Sequence, residues 1–292
     1  MLLATRLANA VSRVNGRGCS GPSSPAAGTL PGVIACEHWQ VTSFESGEQL
    51  WIERLGSLRN VVRQEVVARQ IAPLAVRGAS VLDVGCGQGT QALRLASSGC
   101  QVTAVEPSSE LLARCGDAAL AQSLELELLQ GRIGDLGKLC GDRTFDLVCC
   151  HGVMMYLDDW AQAIADIGER VKTGGRASIT FRNGDALAMR PGLRGDWAAA
   201  LAALESTDYT NELGLPAHAC TAAEIDVALA SAGLRPDAWY GVRVFTDRET
   251  ADAPPPDPET LALLLDAEER AGATDPYKWV ASQLHVVAAR LA

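Results

Sequence analysis

VLDVGCGQGT, residues 81–90, sets a short apolar run directly against a cluster of glycines. Val81, Leu82 and Val84 suit a strand buried in a sheet. Gly85, Gly87 and Gly89 follow at once, and the helical pattern GTQALRLASSG takes over from Gly89 to Gly99. A glycine turn between a buried strand and a helix lets backbone approach a ligand at the carboxyl edge of a sheet. The spacing is G-x-G-x-G, not the G-x-G-x-x-G of dinucleotide sites. Asp83 stands two residues before the first glycine, where a pyrophosphate would be repelled. The ligand expected here therefore has cationic character.

Working outward, strand and helix patterns alternate. CQVTAVEP is a second strand ending in Glu106, an acid placed to accept both hydroxyls of a ribose. SSELLARCGDAAL reads as a capped helix, LELELLQG as a third strand, TFDLVCCHG as a fourth, DDWAQAIADIGERVKTGG as a helix and RASITFRN as a fifth strand. Upstream, apolar residues from Leu50 to Ile71 recur at helical spacing, which predicts one long amphipathic helix over about 48–73. Downstream, residues 184–220 lose regularity and read as an insertion. A helix (TAAEIDVALASAG), a strand ending in GVRVFTD, a second insertion over about 247–275 and a closing strand (SQLHVVAARL) complete the chain. Such alternation predicts an α/β fold with a mostly parallel sheet covered on both faces.

Composition bounds the function. The chain has 292 residues, 48% hydrophobic and 21% charged, with a net charge of −10. A chain this acidic repels nucleic acid unless it carries a local basic face. No apolar run reaches the roughly 18 residues a membrane helix needs. The nine cysteines are odd in number and dispersed, without Cys-x-x-Cys spacing. Neighbouring Cys149 and Cys150 fit buried reduced thiols, so a reducing, cytoplasmic setting without a metal site is expected. Residues 1–44 differ in kind. Arg6, Arg13 and Arg17 precede the first acid, Glu37, and a Gly/Pro/Ser/Ala stretch follows. They read as a disordered or processed extension, or as an organelle-type targeting segment; Arg6 and Asn9 interrupt any secretory-type apolar stretch.

Together Asp83, the glycine loop, Glu106 and RIGDL (132–136) resemble the class I S-adenosylmethionine-dependent methyltransferases over about residues 48–183. The resemblance implies a doubly wound, seven-stranded Rossmann-like sheet with insertions after strands 5 and 6, in a methyltransferase domain over 45–292. It implies S-adenosyl-L-methionine as cofactor, with its methionine part on the loop of Asp83, Gly85 and Gly87, its ribose on Glu106, and its adenine beside Ile133, Gly134 and Asp135. LGSLRNVVRQ, CCHGVMMYL, ITFRNGDAL, GVRVFTD and DPYKWVASQLHVVAAR follow the order found in the bacterial tRNA 5-carboxymethoxyuridine methyltransferases. That closer resemblance implies that Arg59 binds the cofactor carboxylate, that Gly85 and Cys86 make the loop contact, and that His151 borders the cofactor. A guanidinium fork does suit a carboxylate; on pattern alone, Arg59 is equally a solvated helix residue.

The acceptor is the open question. A carboxylate is already ionised at neutral pH and needs positioning rather than a base, whereas a hydroxyl or amine needs a base, for which His151 is the best-placed histidine. Arg243, with Arg182, is a candidate anchor for an acidic acceptor; the alternative is an ion pair with Asp185, Asp247 or Glu249. The family carries FYN where this chain has FRN, and can carry a basic run where this chain has the acidic LESTDYTNELGLPAHAC. The expected partner is thus a tRNA anticodon or an acidic small molecule. A noncatalytic cofactor-binding protein or a dinucleotide oxidoreductase is the remoter alternative, and Asp83 with the glycine spacing argues against the oxidoreductase.

Overall fold

The computed structural model describes residues 44–291; the reading of residues 1–44 as an extension falls, but for Phe44, outside them. Seven strands build the main sheet: β1 (Ser80–Val84), β2 (Gln101–Glu106), β3 (Leu126–Gln130), β4 (Phe145–Cys150), β5 (Val171–Arg182), β8 (Leu234–Val242) and β9 (Gln283–Arg290). Their order is β3-β2-β1-β4-β5-β9-β8, and β6 (Asp208–Thr210) with β7 (Pro216–His218) forms a separate antiparallel hairpin. All main-sheet pairs are parallel except those of β9, which runs antiparallel to both β5 and β8. Two reversals restore the parallel sense, so β8 delivers its carboxyl end to the same edge as β1, β2, β4 and β5. This is the doubly wound sheet expected from the alternating pattern.

Strand alternation splits the core into two layers. Val81, Val102, Ala104 and Leu147 pack with Ile71 of α2 (Leu58–Ile71), Ala92 and Leu95 of α3 (Thr90–Ser97), and Cys115 of α4 (Ser109–Ala121). Leu82, Val148, Cys150 and Ile179 point to the other face. There they meet Leu136 of α5 (Leu136–Cys140), Ile164 and Ile167 of α6 (Trp160–Arg170), and Ile225 and Leu229 of α9 (Ala222–Ser231). Each fully buried branched side chain stabilises the fold by about 1.5–3 kcal/mol, enough for these two layers to hold the loops at the sheet edge.

Three local expectations are corrected. The long helix is two: α1 (Glu45–Arg54) ends before Gly56, Ser57 is extended (φ −68°, ψ 154°), and α2 restarts at Leu58. The helical period stays in phase across the break, which is why it reads as continuous. Helix α6 stops at Arg170, and Val171 opens β5, where the sequence pattern kept the helix to Gly175. GVRVFTD is not a strand through Arg243. Strand β8 ends at Val242, Arg243 takes a left-handed φ of 62°, and a 3₁₀ turn spans Thr246–Arg248.

Between β5 and α9 lie α7 (Met189–Leu193), α8 (Trp197–Glu205) and the β6–β7 hairpin; α10 (Pro258–Ala273) precedes β9. No described helix is long and apolar enough to cross a membrane.

Candidate active site

At the end of β1 the chain turns sharply into α3. Gly85 and Gly89 hold φ of +70° and +88°, and any Cβ there would stand 2.4 Å from Val153 Cγ2 and 2.5 Å from Cys115 Sγ. Both the dihedral and the crowding therefore demand glycine. Gly85 and Cys86 donate their N–H groups to the Val105 carbonyl at 2.8 and 3.1 Å, fixing the loop to β2. Cys86 is buried, and its thiol is held well above its ordinary range by the hydrogen bond with Cys115 and by burial. Cys86 thus serves the loop as backbone and packing, not as a thiolate.

Two buried acids face this turn. Glu106 accepts the Gly87 N–H at 2.8 Å on one carboxylate oxygen and the Ser108 N–H at 3.0 Å on the other. Each oxygen keeps a further lone pair, which fits a carboxylate waiting for two ribose hydroxyls. Burial raises its pKa, opposed by those two N–H donors. Asp83 is pushed to about 7, chiefly by burial, with the Ala92 N–H opposing and the Glu106 charge adding. A buried acid so placed is stabilised by a cation, as the ammonium or sulfonium of the expected cofactor would supply. The Ile133–Asp135 turn follows β3 at the same edge; Ile133 is buried and Asp135 accepts the Arg132 N–H at 2.9 Å. The loop has a further wall that sequence reasoning missed. Trp51 of α1 comes within 3.0 Å of a Cβ built on Gly87, and its ring lies edge-on to Phe44, which packs on Tyr156.

His151 follows β4 and ends a polar chain through the sheet. Gln70 Oε1 meets His285 Nδ1 at 2.6 Å, His285 Nε2 meets Ser178 Oγ at 2.7 Å, and Ser178 Oγ meets His151 Nε2 at 2.8 Å. With the Gln70 oxygen as acceptor, His285 donates from Nδ1, Ser178 donates to His285, and His151 donates from Nε2. The remaining His151 nitrogen, Nδ1, then carries a lone pair, and it is buried without a hydrogen-bond partner. Burial, His285 and Arg63 hold the His151 pKa well below its ordinary value, and burial lowers that of His285 to about 3. Both imidazoles are neutral at physiological pH. His285 is fully buried, and it also sets the tautomer of His151.

Beyond this lies the densest charge in the described structure. Arg59 on α2, Arg182 at the end of β5, Arg190 and Arg194 at α7, and Arg243 after β8 share two carboxylates. Asp247 takes Arg190 in a fork at 2.8 and 2.7 Å, with Arg182 and Arg243 each at 3.5 Å. Glu212, on the turn of the β6–β7 hairpin, takes Arg59, Arg194 at 3.0 Å and Arg190 at 3.4 Å. Burial pushes Glu212 up, but the arginines outweigh it and hold it to about 2. Burial lowers Arg243 to about 9, with Asp247 opposing and the other arginines reinforcing. Arg243, Arg182 and Arg190 all converge on the Ser282 hydroxyl, the first at 2.8 Å and the last at 3.5 Å. Among the three acids considered for Arg243, Asp247 is the partner; Asp185 accepts the Ala222 N–H and Glu249 pairs with Arg248. Arg59 is 6% exposed, so it is no solvated helix residue. Ser282 and Tyr209, whose ring lies 5.8 Å from the Arg182 guanidinium, gave no signal in the sequence because each is far along the chain from its partners, and Glu212 read only as part of an acidic stretch.

A groove of about 670 Å³ between α6 and α9, lined by Trp160, Val227 and Ala228, lies on the outer helices, remote from the glycine loop. Among the described residues no group of three or more His, Cys, Asp or Glu could hold a metal ion.

Comparison with known proteins places this geometry. A family model described as a methyltransferase domain matches residues 81–175. The tRNA 5-carboxymethoxyuridine methyltransferase of Escherichia coli (strain K12) is 25% identical over 244 residues, 80% of this chain and 88% of that protein. A ubiquinone biosynthesis O-methyltransferase of Rickettsia akari (strain Hartford) is 27% identical over 152 residues, 49% and 59% of the two chains. Among solved structures, magnesium protoporphyrin IX methyltransferase from Synechocystis PCC 6803 with bound SAH superposes with a TM-score of 0.59 at 16% identity, covering 86% of this chain and 98% of that one. The last likeness is one of fold.

Proposed function

We propose that this chain, which is a class I S-adenosylmethionine-dependent methyltransferase, methylates a carboxylate. The observation that carries the reading is the buried arginine cluster at the carboxyl ends of β5 and β8, on the sheet edge that also bears the glycine loop. In this reading Asp83 faces the cofactor's cationic end, Gly85, Cys86 and Gly87 give close backbone approach, and Glu106 takes the ribose. Ile133, Gly134 and Asp135 border the adenine, Arg59 takes the carboxylate, and His151 closes the wall. When bound, S-adenosylmethionine supplies an electrophilic methyl carbon on a sulfonium. Arg243 and Arg182 would hold the acceptor anion, and because a carboxylate oxygen is already ionised no residue would need to move a proton. A neutral His151 whose basicity is suppressed suits that proton-free step better than deprotonation of a hydroxyl or amine.

Two sources of carboxylate remain. The E. coli relative supports a carboxymethoxyuridine in tRNA. The exposed acids Glu205 and Asp208, with no Lys or Arg over 204–220, favour a small acid, because phosphate contacts supply most RNA affinity. The seven described cysteines, all free and buried, fit a reducing, cytoplasmic setting. The test supplies methyl-labelled cofactor with separated RNA and small-molecule fractions of a cell extract. A methyl ester releases its label as methanol in mild alkali, and label that survives alkali contradicts the carboxylate reading.

A further inference from the structure

Charge counting around the arginine cluster leads further. Among the described residues, five guanidinium groups share the carboxylates of Asp247 and Glu212. Among the described residues the nearby buried acid Glu268 makes no ion pair with these arginines. Its two oxygens are taken up by the N–H groups of Val244, Phe245 and Thr246 and by the Thr246 hydroxyl. Asp247 alone faces Arg182, Arg190 and Arg243, a local excess of two positive charges, while the excess around Glu212, shared by Arg59 and the more exposed Arg194, is the charge assigned to the cofactor's carboxylate. The buried Nε atoms of Arg59, Arg182 and Arg243 make no hydrogen bond, and all three side chains are at least nine-tenths buried. Buried charge without compensation is costly, so the site is arranged for more than one negative charge. The Ser282 hydroxyl, already approached by three guanidinium groups, draws them together without neutralising any.

We infer that the cluster is a binding site for a small dianionic acceptor, whose carboxylate to be methylated and second anionic group, carboxylate or phosphate, are held together by Arg182 and Arg243. The inference rests on the proposed carboxylate reading but extends to the ligand's second charge.

Calorimetry on the protein saturated with S-adenosylhomocysteine tests it, with propionate, succinate, malonate and inorganic phosphate as probes at constant ionic strength. Succinate or malonate is expected to bind at least about tenfold more tightly than propionate, the scale of one added charge-assisted contact. Phosphate binding more tightly still would identify the second group as a phosphate. In Arg182→Met the preference should shrink below about twofold, while affinity for S-adenosylhomocysteine stays within about twofold of the parent. Equal affinity of the parent for propionate and both dicarboxylates overturns the inference, and this comparison needs no variant to fold. Absence of dicarboxylate and phosphate binding, alongside salt-sensitive binding of a tRNA anticodon stem-loop, overturns it in favour of RNA. Alkali-stable label together with an intact dianion preference would instead sink the carboxylate reading and leave the dianion site standing.

Discussion

Asp83 sets folding against binding within one side chain. The folded chain holds its proton up to about pH 7, whereas the unfolded chain releases it near 3.8. Between those values the folded state binds more protons, so stability falls as pH rises and the loss levels off above about 7. Asp83→Asn removes this penalty. Its melting temperature should exceed that of the parent by a margin that opens between pH 4 and 7 and is largest at pH 8. Calorimetric affinity for S-adenosylhomocysteine should meanwhile drop at least about tenfold, as loss of a charge-assisted contact requires. A variant that gains no stability at pH 8 would mean that Asp83 is not strained by its burial. Asp83 and Glu106 were legible in the sequence because Asp83 lies two residues before the glycine turn and Glu106 closes the next strand. The tautomer of His151 was not, since Gln70, Ser178 and His285 come together only across the sheet.

At the scale of elements, the turn after β8 depends on α10. Glu268 is 1% exposed and accepts three successive backbone N–H groups from Val244 to Thr246. That gathering curls the chain, puts Arg243 at positive φ, and aims its guanidinium at Asp247 and Ser282 instead of along a strand. Glu268→Ala leaves three N–H groups without their acceptor and should cost about 3–5 kcal/mol in urea unfolding. A loss under about 1 kcal/mol would show that the turn holds itself. From sequence the alternation of Val242 and Val244 reads as continued strand, because the acid that breaks it lies more than twenty residues away on a helix that reads only as acidic surface. The split between α1 and α2 was hidden for a related reason. The apolar period keeps its phase across Gly56 and Ser57, yet α1 lies over the glycine loop while α2 packs with α10 through Leu58, Val62 and Leu265.

For the whole molecule, charge is segregated. The chain carries a net −10, yet its inner acceptor end concentrates five arginines, and the hairpin over that end is acidic. Such an arrangement is what the proposed small anionic acceptor calls for. The doubly wound sheet was legible because its signal is local and repeated, strand by strand. The arginine cluster draws on α2, β5, α7 and the turn after β8, and only the sheet topology brings those segments to one edge.

In the proposed function Arg243 holds a carboxylate acceptor at a site separate from the cofactor. The most direct measurement compares alkali-labile methyl transfer by the parent and by Arg243→Met, in the same extract fraction, with S-adenosylhomocysteine affinity measured on both. The parent should form an alkali-labile methyl product. The variant should lose at least about tenfold of that transfer at sub-saturating acceptor, as removal of a charge-assisted contact requires, with S-adenosylhomocysteine affinity within about twofold. Alkali-stable label, undiminished transfer by the variant, or an equal loss of cofactor affinity would contradict this reading.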